Sequence, residues 1–389
     1  MQMDMLRYWL GFNLVRGIGP VRLRMLLDFF GDIQSAWEAP EQALREIKLN
    51  RRSLGNFLKA RRQVDLDEVL RQVERAGAHV LTWDTPDYPN LLRQITDAPP
   101  VLFVRGTLTP ADEWSVALVG TRKATVYGRE VAHRLATDLV QNRVTLVSGL
   151  ARGIDSIAHK AALDAGGRTL AVLGSGVDHI YPAEHRKLAE AIIENGALIS
   201  DYPLGTRPEA ANFPARNRII SGLSLGVVVV EAGVKSGALI TADFALDHGR
   251  EVFAVPGSIL SPASVGCNRL LRDGAGIVTE IADILETLHL DQVSEKQLAR
   301  EILPANATEA AILERLTAEP RHLDELSREI ELPVETISST LVMMELKGMT
   351  RQVAPLQYVV AREPDEEYTL TVPAENASHH GDTETTETV

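Results

Sequence analysis

Two stretches of the chain carry side chains suited to holding phosphate. VGTRKATVYG, Val119 to Gly128, follows an apolar run and sets Gly120, Thr121, Arg122 and Lys123 in a row. A glycine leaves backbone N–H groups open, a hydroxyl adds a donor, and two cations supply charge-assisted bonds to an anion. FPARNRIISGLS, Phe213 to Ser224, sets Arg216, Asn217 and Arg218 beside an aromatic ring. Guanidinium groups bind phosphate oxygens in pairs, and Phe213, next to a proline, can stack on a base. Such an arginine pair can equally bridge to carboxylates. Shorter glycine-containing stretches end other apolar runs: Ser148-Gly149, Gly174-Ser175-Gly176, Lys235-Ser236-Gly237 after Glu231, and Pro256-Gly257. One such loop is an ordinary turn, whereas several on one rim point to a phosphate-bearing ligand.

The class of ligand narrows by elimination. A dinucleotide-binding turn needs Gly-x-Gly-x-x-Gly after a strand. VLGSGVDHI offers Gly174 and Gly176 but places His179 third, and SGLARG has Gly149 and Gly153 alone. No Gly-Lys pair occurs anywhere, which removes the phosphate loop of the common ATPases. No cofactor is therefore expected. Asp155 and His159 stand four apart on one helical face. They form either a proton-transfer couple or a helix cap and a packed histidine. Glu231, at a strand end, is either a base or an anchor for the loop that follows it. Neither completes a catalytic set. The single cysteine, Cys267, excludes a disulfide framework and any Cys-x-x-Cys zinc site, and it reads as a small buried residue.

The elements that must position these residues follow from hydrophobic pattern. VALVG (116–120), VTLVSG (144–149), TLAVLG (169–174), ALISDY (197–202), LGVVVVEA (225–232) and EVFAVPG (251–257) are short apolar runs separated by helix-length segments. Nearly continuous apolar strands between amphipathic helices predict a doubly wound, mostly parallel α/β sheet covered on both faces. Its ligand should lie beyond the carboxyl ends of the strands. Leu81 to Gly106 adds candidate strands ahead of it.

Residues 1–75 read as helical, with a Gly-x-Gly-Pro turn in LVRGIGPVRLRMLLDFFG flanked by Arg16, Arg22 and Arg24. The turn fits a phosphate-facing helix-hairpin-helix and a plain helical bundle equally well. Residues 76–290 form the sheet domain and 291–306 a linker. Residues 307–362 carry three amphipathic helices, a glycine and two strand-like segments, the pattern of a winged helix. Its presumed recognition helix, PVETISSTLVMMELKG, holds Glu335 and Glu345 against Lys347 alone. A duplex-reading helix needs donors for phosphates and base edges, so a protein-contacting or vestigial module is expected here.

Charge supports that division. Of the formal −13, eight acidic residues and no Lys or Arg fall in residues 363–389, which leaves −5 for the first 362. Residues 1–64 hold eleven Lys or Arg against six Asp or Glu. The acidic tail, 363–389, is expected to be disordered, and an acidic total does not exclude a nucleic-acid partner. With no long apolar run and no basic, apolar and small-residue leader pattern at the start, the chain reads as cytoplasmic.

In order, VGTRKATVYG, VSGLARGIDSIAH, VLGSGVDHIYP, FPARNRIISGLS, EAGVKSGALITADFALDHGREVFAVPG and GCNRLLRDGA closely resemble the DNA-processing protein A (DprA/Smf) family over about residues 80–285. The resemblance implies an extended Rossmann-like domain that binds single-stranded DNA without turnover, usually as a homodimer. It also implies help in loading the recombinase RecA during natural transformation. The flanking modules look like the SAM-like or helix-hairpin-helix domain and the winged helix of longer members. Gly120, Thr121 and Arg122 match the family's Gly-Ser/Thr-Arg motif, with Arg122 as the chief phosphate ligand. Phe213, Arg216, Asn217 and Arg218 match its Phe-Pro-x-Arg-Asn-Arg segment, and Ser236-Gly237 its Ser-Gly loop. Ala210 and His185 depart from residues common in the family. Arg186, Lys187 or Arg207 can replace the lost basic residue. The DNA-contacting set expected is therefore Gly120 to Lys123, Ser148, Gly149, Ser175, Gly176, Arg186, Lys187, Phe213, Arg216 to Arg218, Ser236 and Gly237. The competing class is a Rossmann-type phosphoribohydrolase acting on nucleotides. Its Pro-Gly-Gly-x-Gly-Thr loop corresponds here to EAGVKSGALIT. A third is a transcription factor built on the C-terminal module.

Overall fold

The computed structural model describes residues 2–47, 49–290, 306–317, 320–346 and 349–360. They fall into two compact units, 2–290 and 306–360. The linker reading, apart from Asn306, and the acidic-tail reading lie outside the described residues, as does Lys347. No helix among the described residues is long and apolar enough to cross a membrane.

The first unit is built on a nine-stranded sheet. Its strands are β1 (His79–Thr82), β2 (Val101–Gly106), β3 (Ser115–Gly120), β4 (Thr145–Ser148), β5 (Thr169–Val172), β6 (Gly196–Ser200), β7 (Gly226–Glu231), β8 (Glu251–Ala254) and β9 (Gly276–Ile277). Their spatial order is β1-β2-β6-β5-β4-β3-β7-β8-β9. Every pair from β6 to β9 is parallel, while β1 and β2 are antiparallel to their neighbours. All six apolar runs read from the sequence are strands of this sheet.

Alternation along each strand feeds two cores, because successive side chains point to opposite faces. Ala117 and Val119 of β3, with Val227 and Val229 of β7, pack against Ile219, Ile220 and Ala242 on helices Asn212–Gly222 and Gly237–Asp247. Val116, Leu118, Val228 and Val230 pack on the other face against Leu135, Leu139 and Ala158, from helices Val126–Gln141 and Ile154–Asp164. The sheet is thus doubly wound.

The chain runs from β3 outward through β4 and β5 to β6, then returns to the other side of β3 for β7 and β8. The order therefore reverses between β3 and β7. In open α/β sheets the strand-end crevice lies at such a switch point.

The N-terminal helices form a third core, in which Phe12 meets Trp37 edge-on with ring centroids 5.1 Å apart. Val101 and Phe103 of β2 join this core, so these helices cover the antiparallel end of the sheet. Helix Pro20–Phe30 begins directly after the Gly-x-Gly turn, with proline at its first position. The Gly17 carbonyl accepts from Ser53 Oγ at 3.1 Å and from Arg22 Nη1 at 2.5 Å, which ties the turn to helix Arg51–Gln63.

The second unit has helices Ala307–Arg315, Leu323–Ile330 and Val334–Leu346, plus a sheet of Arg321–His322, Gln357–Val360 and Thr350–Ala354 in that spatial order. Its core is closed by Ile312, Leu326, Ile337, Leu341, Met344 and Tyr358.

Candidate nucleic-acid interface

At the switch point an open cleft of about 790 Å³ lies beyond the ends of β3 and β7. Gly120, Thr121, Arg122 and Lys123 form one wall, Phe213, Arg216 and Asn217 another, and Lys235, Ser236 and Gly237 a third. Nine of the expected site residues are thereby brought together from three separate segments of the chain.

The β3 loop is fixed from several sides. The Thr121 N–H donates to the Glu231 carbonyl at 2.7 Å, and the Ile154 N–H donates to the Thr121 carbonyl at 3.2 Å. Thr125 accepts from the Gly128 N–H at 3.1 Å and so caps helix Val126–Gln141, while its hydroxyl donates to Glu231 Oε1 at 2.6 Å. The Thr125 N–H donates to Glu231 Oε2 at 2.9 Å. The Glu231 carboxylate is buried and anchors the loop. Gly153, at φ 79°, passes close beneath: a Cβ there would collide with the Thr121 carbonyl and the Arg122 backbone.

Arg122 and Lys123 are exposed above this anchored loop. The Arg122 guanidinium lies 5.4 Å from the centroid of the Phe213 ring, a cation–π contact. Phe213 also meets Tyr181 at 5.5 Å. Tyr181 lines the cleft, is 43% exposed, and places a second ring beside the cations. Asn217 Nδ2 donates to the Gly237 carbonyl at 3.3 Å, and Ser236 Oγ accepts from the Ala238 N–H to cap helix Gly237–Asp247. That helix start and the exposed Lys235 face the cleft. Asp155 is the only acidic residue among the lining residues, and it is buried.

Arg216 lines the floor but is 4% exposed. It donates to the carbonyls of Gly149, at 2.8 Å, and Val172, closing the ends of β4 and β5. Burial lowers its pKa to about 10, opposed by Asp155, so it stays charged at neutral pH. Asp155 lies within electrostatic reach of it on the cleft floor, so the exposed positive charge of the cleft comes from its rim.

The other residues of the expected set do not line the open cleft. Ser148 is fully buried, its hydroxyl donating to the Leu118 carbonyl at 2.7 Å. The space in front of Gly149 is filled by the Arg216 guanidinium. Ser175 is buried and donates to the His179 carbonyl at 2.7 Å; Gly176 packs against Asp178 and Pro203. Arg218 turns away from the cleft to an ion pair with Asp201 at 2.5 Å and to the Asp97 carbonyl at 2.6 Å. It is the arginine that bridges to a carboxylate. Arg186 and Lys187 are exposed at the start of helix Arg186–Asn195 and do not line the cleft.

Asp155 and His159 are not a couple. Asp155 Oδ2 accepts from the N–H groups of Gly149, at 3.2 Å, and Ala151, at 3.3 Å. His159 Nδ1 meets Thr169 Oγ1 at 2.7 Å, and burial drives its pKa down to about 3. Cys267 is buried as expected. No group of three His, Cys, Asp or Glu residues among those described could hold a metal ion.

Among the cleft residues outside the expected set, Tyr181 and Lys235 are exposed and carry side chains suited to nucleic acid. Lys235 stood beside the Ser-Gly loop in sequence. Tyr181 follows a loop whose direction only the fold reveals.

Comparison with known proteins agrees with this architecture. A family model described as DNA recombination-mediator protein A matches residues 79–289, and one described as DprA winged helix domain matches residues 295–354. Protein Smf of Synechocystis is 36% identical, over 90% of this chain and 98% of its own length. The crystal structure of DNA processing protein A from Streptococcus pneumoniae is 34% identical, with a TM-score of 0.65 over 72% of this chain and 97% of that one. A DNA processing protein A structure from Helicobacter pylori, whose subject is its single-stranded DNA binding mode, is 31% identical. Its TM-score is 0.50, over 55% of this chain and 96% of that one. The chain belongs to the DprA/Smf family of DNA-processing proteins.

Proposed function

We propose that the β3/β7 cleft binds single-stranded DNA by its sugar-phosphate backbone, without strong sequence preference and without turnover. The observation that carries this reading is Arg122, exposed on an anchored loop and stacked on Phe213, in a cleft whose other exposed charges are Lys123 and Lys235. Cations track phosphates while Phe213 and Tyr181 take a base, an arrangement every base satisfies. The single-stranded DNA binding of the Helicobacter pylori relative supports it.

Glu231 bonded to Thr125, and Asp155 and His159 each bonded elsewhere, favour binding over catalysis. The family resemblance extends the proposal to protection of the strand, RecA loading in DNA uptake, and action as a homodimer. Two clefts on one strand would then raise avidity.

Fluorescence anisotropy with a labelled oligothymidylate tests the site. Arg122→Ala loses a charge-assisted phosphate bond, so affinity should fall roughly 10- to 100-fold on any single-stranded sequence. Wild-type affinity in that variant would remove the site. Release of free base from nucleoside monophosphates would instead revive the phosphoribohydrolase reading.

A further inference from the structure

The strand-end rim continues past the cations into a sector of different chemistry. Next to β7 lies β8, and the segment that follows it, Pro256 to Val265, reads PGSILSPASV, with no charged side chain. Its backbone is held at stem and tip. Asn268 accepts from the Gly257 N–H at 3.1 Å and donates to the Gly257 carbonyl at 3.0 Å. The Ser261 N–H donates to the Ser258 carbonyl at 3.0 Å, and the Leu260 N–H to Ser258 Oγ at 3.2 Å. Between those bonds Ile259 and Leu260 are each 88% exposed. Two large aliphatic side chains are thus displayed to water by a fixed turn.

This turn adjoins both cationic loops. The Tyr127 hydroxyl donates to the Pro256 carbonyl at 2.8 Å, and the Pro262 carbonyl lies against Gly233, which lines the cleft. Val126 and Tyr127, shortly after Lys123, and Val234, just before Lys235, are exposed as well. Phe213 and Tyr181 thus line the cleft beside the cations, and the uncharged, exposed side chains of Val126, Tyr127, Val234, Ile259 and Leu260 lie on the adjoining loops.

Resting on the reading of the cleft as a single-strand site, we propose that the Ser258–Ser261 turn is a second base-contacting element. Unpaired bases of nucleotides whose phosphates lie at Arg122, Lys123 and Lys235 rest against Ile259 and Leu260. A strand held by its phosphates leaves its bases seeking apolar cover, and aliphatic side chains serve as wedges against bases in other nucleic-acid complexes. The absence of charge from the segment and its continuity with the cleft favour bases over an ion-pairing partner.

The test uses the full chain carrying I259S and L260S together, substitutions at exposed positions that leave the core untouched. Affinity is measured for an ordinary oligonucleotide and for one of equal length with abasic sites. The double variant should bind the ordinary strand about fivefold more weakly, bind the abasic strand as wild type does, and keep the wild-type salt dependence. Wild-type affinity for the ordinary strand overturns the proposal. Equal losses on both strands, with reduced self-association in sedimentation, overturn it too and make the turn an interface between copies. Arg122→Ala serves as the control: it should weaken both strands. Failure of Arg122→Ala alone strikes the cleft reading, whereas failure of I259S/L260S alone strikes only the turn.

Discussion

The cleft at the β3/β7 switch point and the helix Val334–Leu346 of the winged helix are both placed by their folds where DNA is commonly read, yet they are equipped in opposite ways. The cleft presents Arg122, Lys123 and Lys235 over Arg216, with no exposed carboxylate in its lining. The helix presents Glu335 and carries no Lys or Arg, and Val342 and Met343 are exposed on it. Its other carboxylate, Glu345, accepts from the Gln352 N–H at 3.0 Å and so ties the helix to the wing. A fold supplies a platform; phosphate recognition needs donors on it. Of these two surfaces, only the cleft carries cationic donors among the described residues.

The largest effect should come from Gly153. Gly153→Ala places a Cβ against the Thr121 carbonyl at a positive φ. The β3 loop must shift or the backbone must strain, at a cost on the order of 1–3 kcal/mol. Urea denaturation should show the loss of stability, and single-strand affinity should fall together with it. Unchanged stability and binding would mean that the loop's position does not matter, and the contrast with the winged helix would lose its basis.

The smallest effect should come from Glu335→Lys on the exposed face of the helix. If that helix is no part of the single-strand site, affinity for an oligonucleotide should change less than about twofold, in the range of an exposed charge acting at a distance. A gain of tenfold would show the helix close to DNA and break the comparison.

Much of this was legible in the sequence for physical reasons. β3 to β8 were read because both faces of each strand are buried, which leaves continuous apolar runs. β9, at two residues, is too short to show any periodicity. Gly120 to Lys123, Phe213, Asn217, Ser236 and Gly237 meet in the cleft because strand ends converge at a switch point, a consequence of topology. Which way an arginine turns was not legible. Arg216 is drawn inward by the carbonyls of Gly149 and Val172, and Arg218 by half-buried Asp201, partners that only the fold brings near. The serines of the β4 and β5 ends were lost to the site in the same way, to carbonyls only the fold brings near.

The central claim is that three exposed cations of the cleft hold backbone phosphates. Its most direct measurement is the salt dependence of single-strand binding by the wild type and by the triple variant Arg122→Ala, Lys123→Ala, Lys235→Ala. Each phosphate contact on a single strand contributes about 0.7 to the slope of log affinity against log salt. The triple variant should therefore lose about 2 from that slope. A slope equal to that of the wild type would contradict the account and place the phosphate contacts elsewhere on the molecule.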